Sequence, residues 1–154
     1  MKQNKKGFTL IELLAVIVIL AIIALIATPI ILSMINNARK SAARSSALGY
    51  VESIENYVGF YEAKQGGISD IAGYDVAYPA STVTCSKTEG AWSEGCTAFF
   101  AAVDKTTKGK APDAATNVVI ENGKVKVPDT AADRPTFTFG SYTCTYTGSD
   151  ATCN

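Results

Sequence analysis

Histidine is absent from these 154 residues, which removes the commonest general base near neutral pH and a favoured metal ligand. No two cysteines stand in a C-x-x-C spacing, so a zinc site of the finger type has no framework. The plentiful serines and threonines have no imidazole to activate them, and no Gly-rich phosphate loop is present. Catalysis is therefore not expected, and no cofactor or metal is called for. Net charge is lacking too: Lys+Arg and Asp+Glu stand at 14 each, so nothing demands nucleic acid as an obligatory partner. No cysteine precedes position 85, and residues 13–27 contain no polar side chain at all.

That last absence marks the chain's most informative region. The apolar stretch, residues 13–32, is about as long as a bilayer-spanning helix needs. It exceeds the h-region of a secretory signal and is followed by no small-x-small cleavage site. Lys2, Lys5 and Lys6 cluster just before it, which by the positive-inside rule predicts a cytoplasmic N-terminus with the bulk of the chain outside. Glu12 stands at the mouth of this stretch, where a carboxylate costs roughly 2.5–3.5 kcal/mol on insertion scales and needs a partner. The spacing Thr9-x-x-Glu12 offers one locally, as a capping box at a helix start. Cleavage after Gly7 would offer another: a new α-amino group at Phe8 of a neighbouring subunit. On hydropathy alone, an ordinary single-pass anchor fits equally well.

Beyond the apolar run the helical pattern persists, so one long helix is expected over residues 9–61. Val51, Ile54, Val58 and Tyr61 form an apolar stripe, and Ala38, Ala42 and Ala43 continue it with small residues. Arg39, Lys40, Arg44, Glu52 and Glu55 read as a hydrated or subunit-facing side. Pro29 falls inside the helix, where a missing N–H and a ring clash predict a kink or local unwinding. Gly66 and Gly67 end the pattern. Residues 68–80 read as a loop, residues 81–85 and 97–103 as candidate strands (the second also compatible with helix), and residues 105–115 as a polar loop. Residues 117–127 read as a hairpin about Asn122-Gly123, a type I′ turn pair. Residues 128–135 are a further loop, and residues 136–147 alternate like a strand. The expected fold is α+β: the long helix, apolar then amphipathic, packed on an antiparallel sheet of about four strands.

The four cysteines, Cys85, Cys96, Cys144 and Cys153, are even in number and suit an oxidising compartment. They admit three pairings. Cys85–Cys96 with Cys144–Cys153 is favoured because each closes a short, hairpin-sized loop.

Lys5, Lys6, Gly7, Phe8, Thr9, Leu10, Ile11, Glu12, Leu13 and Leu14, followed by the apolar helix, closely resemble the class III signal of type IV pilins. The texture of residues 17–31 and the short leader resemble major pilins of Gram-positive bacteria. The resemblance covers residues 1–62 well and the remainder in layout only. It implies that a prepilin peptidase removes residues 1–7, cutting between Gly7 and Phe8 and N-methylating Phe8. It implies that Glu12 pairs with the Phe8 amine of a neighbour during assembly. Residues 8–35 would then be the transmembrane and filament-core half of the helix. Residues 36–154 would be the head: half-helix 36–62, loop 63–80 and sheet region 81–154. Loss of the leader leaves 11 cationic against 14 anionic side chains, a balance of −3. The partners implied are the chain itself in a homopolymeric helical filament, the peptidase, the assembly platform with its ATPase, and the membrane before assembly. The function implied is that of a major pilin for attachment, twitching motility or DNA uptake, located first in the cytoplasmic membrane and then outside the cell.

Two other readings stay open. A minor pilin or pseudopilin of type II secretion or competence shares the signal, and pseudopilins often carry calcium; Asp129, Asp133 and Asp150 are the acids available. A membrane-anchored binding module would use Trp92, Tyr142 and Tyr146 for stacking, with Lys105, Lys108 and Lys110 as a small basic loop. Packing and hydration account for these residues more simply.

Overall fold

Why an apolar run and an amphipathic run can share one helix is visible in the computed structural model, which describes residues 7–67 and 73–154. Lys2, Lys5 and Lys6, and the first part of the expected 68–80 loop, lie outside the described residues. The chain divides into two compact units, Met1–Arg39 and Lys40–Asn154. Helix α1 (Leu10–Gln65) contributes to both.

In the first unit α1 is long and apolar enough to cross a membrane. Its large side chains are exposed all round, Leu10 at 83%, Leu25 at 78% and Met34 at 66%, as expected of a helix whose surroundings are something other than its own chain. Pro29 lies inside the helix without ending it. Its ring removes one backbone donor, and one residue earlier the Thr28 hydroxyl donates to the Ala24 carbonyl at 2.6 Å, the kind of side-chain bond that keeps polar groups satisfied in a membrane helix.

The second unit is an α+β fold. Its six-stranded antiparallel sheet follows the order β2-β1-β3-β6-β7-β8: β1 (Cys85–Thr88), β2 (Ala91–Trp92), β3 (Ala114–Val118), β6 (Thr136–Phe139), β7 (Tyr142–Tyr146) and β8 (Ala151–Cys153). A separate hairpin joins β4 (Ile120–Glu121) and β5 (Lys124–Val125), with positive φ at Asn122 and Gly123 as a type I′ turn requires. Helix α2 (Thr97–Thr106) follows β2.

The sheet is larger than the four strands expected, because β1, β2 and β8 are two to four residues long and too short to show alternation. Residues 97–103 form helix, not strand; Phe99, Phe100 and Val103 share its buried face. Residues 136–147 are two strands, not one, turned at Gly140, whose φ of 62° suits glycine. The first strand begins at Cys85, where residues 81–85 were expected to form it.

One face of the sheet is buried through Ala115, Phe137, Cys144 and Ala151. Ala47, Tyr50, Ile54 and Val58 of α1 are buried in the same cluster, with Tyr50 and Phe137 rings edge to face at 5.7 Å. Of the three alanines expected on this stripe, Ala43 alone is buried. Tyr61 is half-buried, against Tyr78. The opposite face presents threonines in register, with Thr116–Thr136 and Thr138–Thr143 hydroxyls bonded across strands; β-branched residues favour such a face, and Thr–Thr pairs stabilise it. Disulfides join Cys85 to Cys96 and Cys144 to Cys153. The second links directly opposed positions of β7 and β8.

Candidate functional site

The start of α1 is the site at issue. Gly7 has open space around its Cα. The Phe8 ring stands free at 88% exposure. Thr9 then closes a capping box with Glu12: its N–H and its hydroxyl each donate to Glu12 Oε2 at 2.8 Å, and the Glu12 N–H reaches back to Thr9 Oγ1 at 3.4 Å. The Leu13 N–H bonds the Thr9 carbonyl at 3.3 Å, closing the first turn. Two donors that a helix start leaves orphaned are thereby satisfied, and the carboxylate sits at the positive end of the helix dipole.

This arrangement settles what Glu12 does in a single copy. Among the described residues its charge has neutral donors only, all from the adjacent turn. A cationic donor would add the attraction of a full opposite charge to the hydrogen bond, so the box leaves Glu12 partnered and yet open to exchange.

The other candidates lie in the second unit. Trp92 is buried and stacked on Phe100 with ring centroids 3.8 Å apart. Tyr146 is buried with its hydroxyl donating to the Gly148 carbonyl, and Tyr142 is half-buried; these are packing positions. Asp150 is held by Arg44 in a two-pronged pair at 2.7 and 2.6 Å, and the guanidinium, with the Ala151 N–H, keeps its carboxyl below the usual range. Asp129 and Asp133 are exposed on the loop before β6. Among the described residues no three ligand-type side chains gather into a metal cluster. Lys105 and Lys108 are exposed, while Lys110 pairs with Asp113.

One constellation was not foreseen. Lys87 on β1 is only 8% exposed. Its ammonium donates to Asp104 Oδ2 of α2 at 3.2 Å, and the Tyr50 hydroxyl of α1 donates to Asp104 Oδ1 at 2.5 Å. Burial, then the Asp104 acceptor, pushes the Tyr50 phenol well above its usual range. The Lys87 ammonium also lies 5.6 Å from the Trp92 ring centroid, within cation–π reach. Sequence separations of 17 and 54 residues left no local signal for this clamp. It joins three elements and holds the fold.

Residues 2–28 match the family model for the prokaryotic N-terminal methylation motif. No curated protein and no solved structure matches the chain. The motif points to a structural protein rather than an enzyme. Carried on an apolar helix that opens with a glutamate-closed cap, this motif is the class III signal of type IV pilins and supports a type IV pilin-like prepilin.

Proposed function

We propose that the chain is a major pilin: a structural subunit that is cut between Gly7 and Phe8, N-methylated at Phe8 and polymerised into a helical type IV pilus. The observation that carries this reading is the pairing of the methylation motif with a helix whose large apolar side chains find no cover among the described residues. Before assembly the bilayer covers them, with the Lys2, Lys5 and Lys6 end in the cytoplasm. In a fibre, neighbouring copies do.

Transfer from lipid to fibre gains little hydrophobic free energy, because both surroundings are apolar; packing and polar pairing must supply direction. Cleavage creates the directing group. The Phe8 ammonium of one subunit replaces Thr9 as the partner of Glu12 in the next, and a carboxylate held by neutral donors gains a full opposite charge. Such a head-to-tail contact does not close on itself, so it propagates as an open helix. Processing therefore licenses assembly. The uncut chain has a glycine and a basic leader where the ammonium must be.

Glu12→Ala tests this. The variant is expected to insert and be processed, since both precede the pairing, yet to give few or no filaments when sheared material is quantified. Abundant normal filaments from the Ala variant alone would overturn the pairing. A wild-type subunit found only as a trace component of fibres built from another chain would assign the minor-pilin role instead.

A further inference from the structure

Strand β3 separates two loops of opposite charge. Five residues of antiparallel strand span about 17 Å. At its first end stand Lys105, in the last turn of α2, and Lys108, in the loop that follows, both exposed, and among the described residues neither makes an ion pair. This end is fixed: the Asp113 N–H donates to the Thr138 carbonyl at 2.8 Å, and Asp113 Oδ2 accepts from Gly140 N–H at 2.7 Å and from Lys110 at 2.9 Å. At its last end the loop before β6 carries Asp129 and Asp133, likewise exposed and likewise without an ion pair among the described residues. It is fixed as well: Asn117 Nδ2 donates to the Ala132 carbonyl at 3.2 Å, and Arg134 Nε donates to the Pro128 carbonyl at 3.3 Å.

The two ends also differ in shape. A cavity of about 620 Å³ opens beside Lys108, walled on the α1 side by Gly49, Ser53 and Phe60. Gly49 is a helix-interior glycine whose missing Cβ would meet nothing within 4 Å, so packing inside the subunit does not require it. Glu52 on that wall opposes an acid and sets any acidic occupant on the lysine side. The acidic end is convex: it is a short 3-10 turn, Ala131–Asp133, exposed throughout.

We propose that these are the two halves of one subunit–subunit contact: the Asp129 and Asp133 loop of one copy seats in the groove beside Lys108 of another, with Lys105, one residue before the groove's Thr106, extending its basic side. The inference rests on the filament reading above. In a head-to-tail arrangement each contact leaves one basic and one acidic end free, as an open polymer requires. Like charges brought face to face there repel, and complementary ones set register.

Charge reversal in the full chain tests it, with filaments sheared and quantified after subunit level and full cysteine oxidation are shown to equal wild type. K105E/K108E and D129K/D133K are each expected to lower the filament yield roughly tenfold or more. The fourfold variant, which carries both reversals and so restores complementarity, is expected to recover most of the yield, as is co-expression of the two reversed chains. Reversed variants that assemble like wild type would overturn the contact while leaving the pilin reading intact. So would a fourfold variant no better than its parents. A wild-type chain that never forms filaments would remove both.

Discussion

Removal of Asp104 is the sharpest perturbation of the head. The substitution Asp104→Ala leaves the Lys87 ammonium, 91% buried as a side chain, against the Trp92 ring with no bonded carboxylate among the described residues and Asp113 as a weaker electrostatic neighbour, and strips the Tyr50 hydroxyl of its acceptor. Breaking a buried ion pair from one side costs about 3–5 kcal/mol, because the surviving charge stays unpaired. The orphaned phenol adds to this only in part, since it shares the same carboxylate. A loss of about 4 kcal/mol is a large share of a domain's total of about 5–15 kcal/mol. Urea titration of the detergent-solubilised chain reads it through Trp92, the single tryptophan, which sits inside the clamp. With a slope of about 2 kcal/mol per molar, the midpoint should fall by about 2 M. Lys87→Met combined with Asp104→Leu and Tyr50→Phe removes all the polar groups together and should recover most of the loss. An Asp104→Ala midpoint within about 0.5 M of wild type, equivalent to about 1 kcal/mol, or a triple variant as weak as the single one, would refute the reasoning.

Three further outcomes are expected. Gly49→Ala should raise head stability by about 0.5–1 kcal/mol in the same titration, because the added methyl meets open space in a helix interior; no gain would show strain there. Replacing Cys144 and Cys153 together by serine frees a loop with a sequence separation of 9 residues and should cost about 2–3 kcal/mol, read as a midpoint between those of the oxidised protein and the fully reduced one, which also loses Cys85–Cys96. The Asp150 and Asp113 carboxyls are held below their usual range in the fold, the first by Arg44 and the second by the Gly140 N–H and Lys110; the unfolded chain therefore binds protons first, and their contribution is full above the ordinary aspartate range and is lost as pH falls through the depressed values. Asp150→Asn should flatten that part of an acid titration of stability, and an unchanged acid limb would count against the Arg44 pair.

What could be read from the chain alone divides by distance along it. The N-terminal signal is contiguous, so Gly7, Phe8, Thr9 and Glu12 announce themselves, and a run of apolar residues leaves helix as the one structure that satisfies its backbone in lipid. The Asn122-Gly123 turn is as local. The apolar sequence Phe99, Phe100, Ala101, Ala102, Val103 is not decisive, since a short apolar run suits a buried strand or a buried helix; tertiary packing chose helix. The turn at Gly140 and Ser141 was hidden because threonines continue on both sides of it; the one signal is a change of phase, from Phe137 and Phe139 to Tyr142, Cys144 and Tyr146. Pairing of β1 with β3, the Arg44–Asp150 clip across 106 residues and the Lys87, Asp104, Tyr50 clamp are long-range, and no periodicity carries them.

The most direct measurement is the intact mass and N-terminal sequence of filaments sheared from cells. The account predicts a chain that begins at Phe8, carries one added methyl group on that residue and lacks four hydrogens for its two disulfides. A chain that keeps Met1 and stays in the membrane fraction, with no filaments shed, would contradict it and leave an ordinary anchored protein.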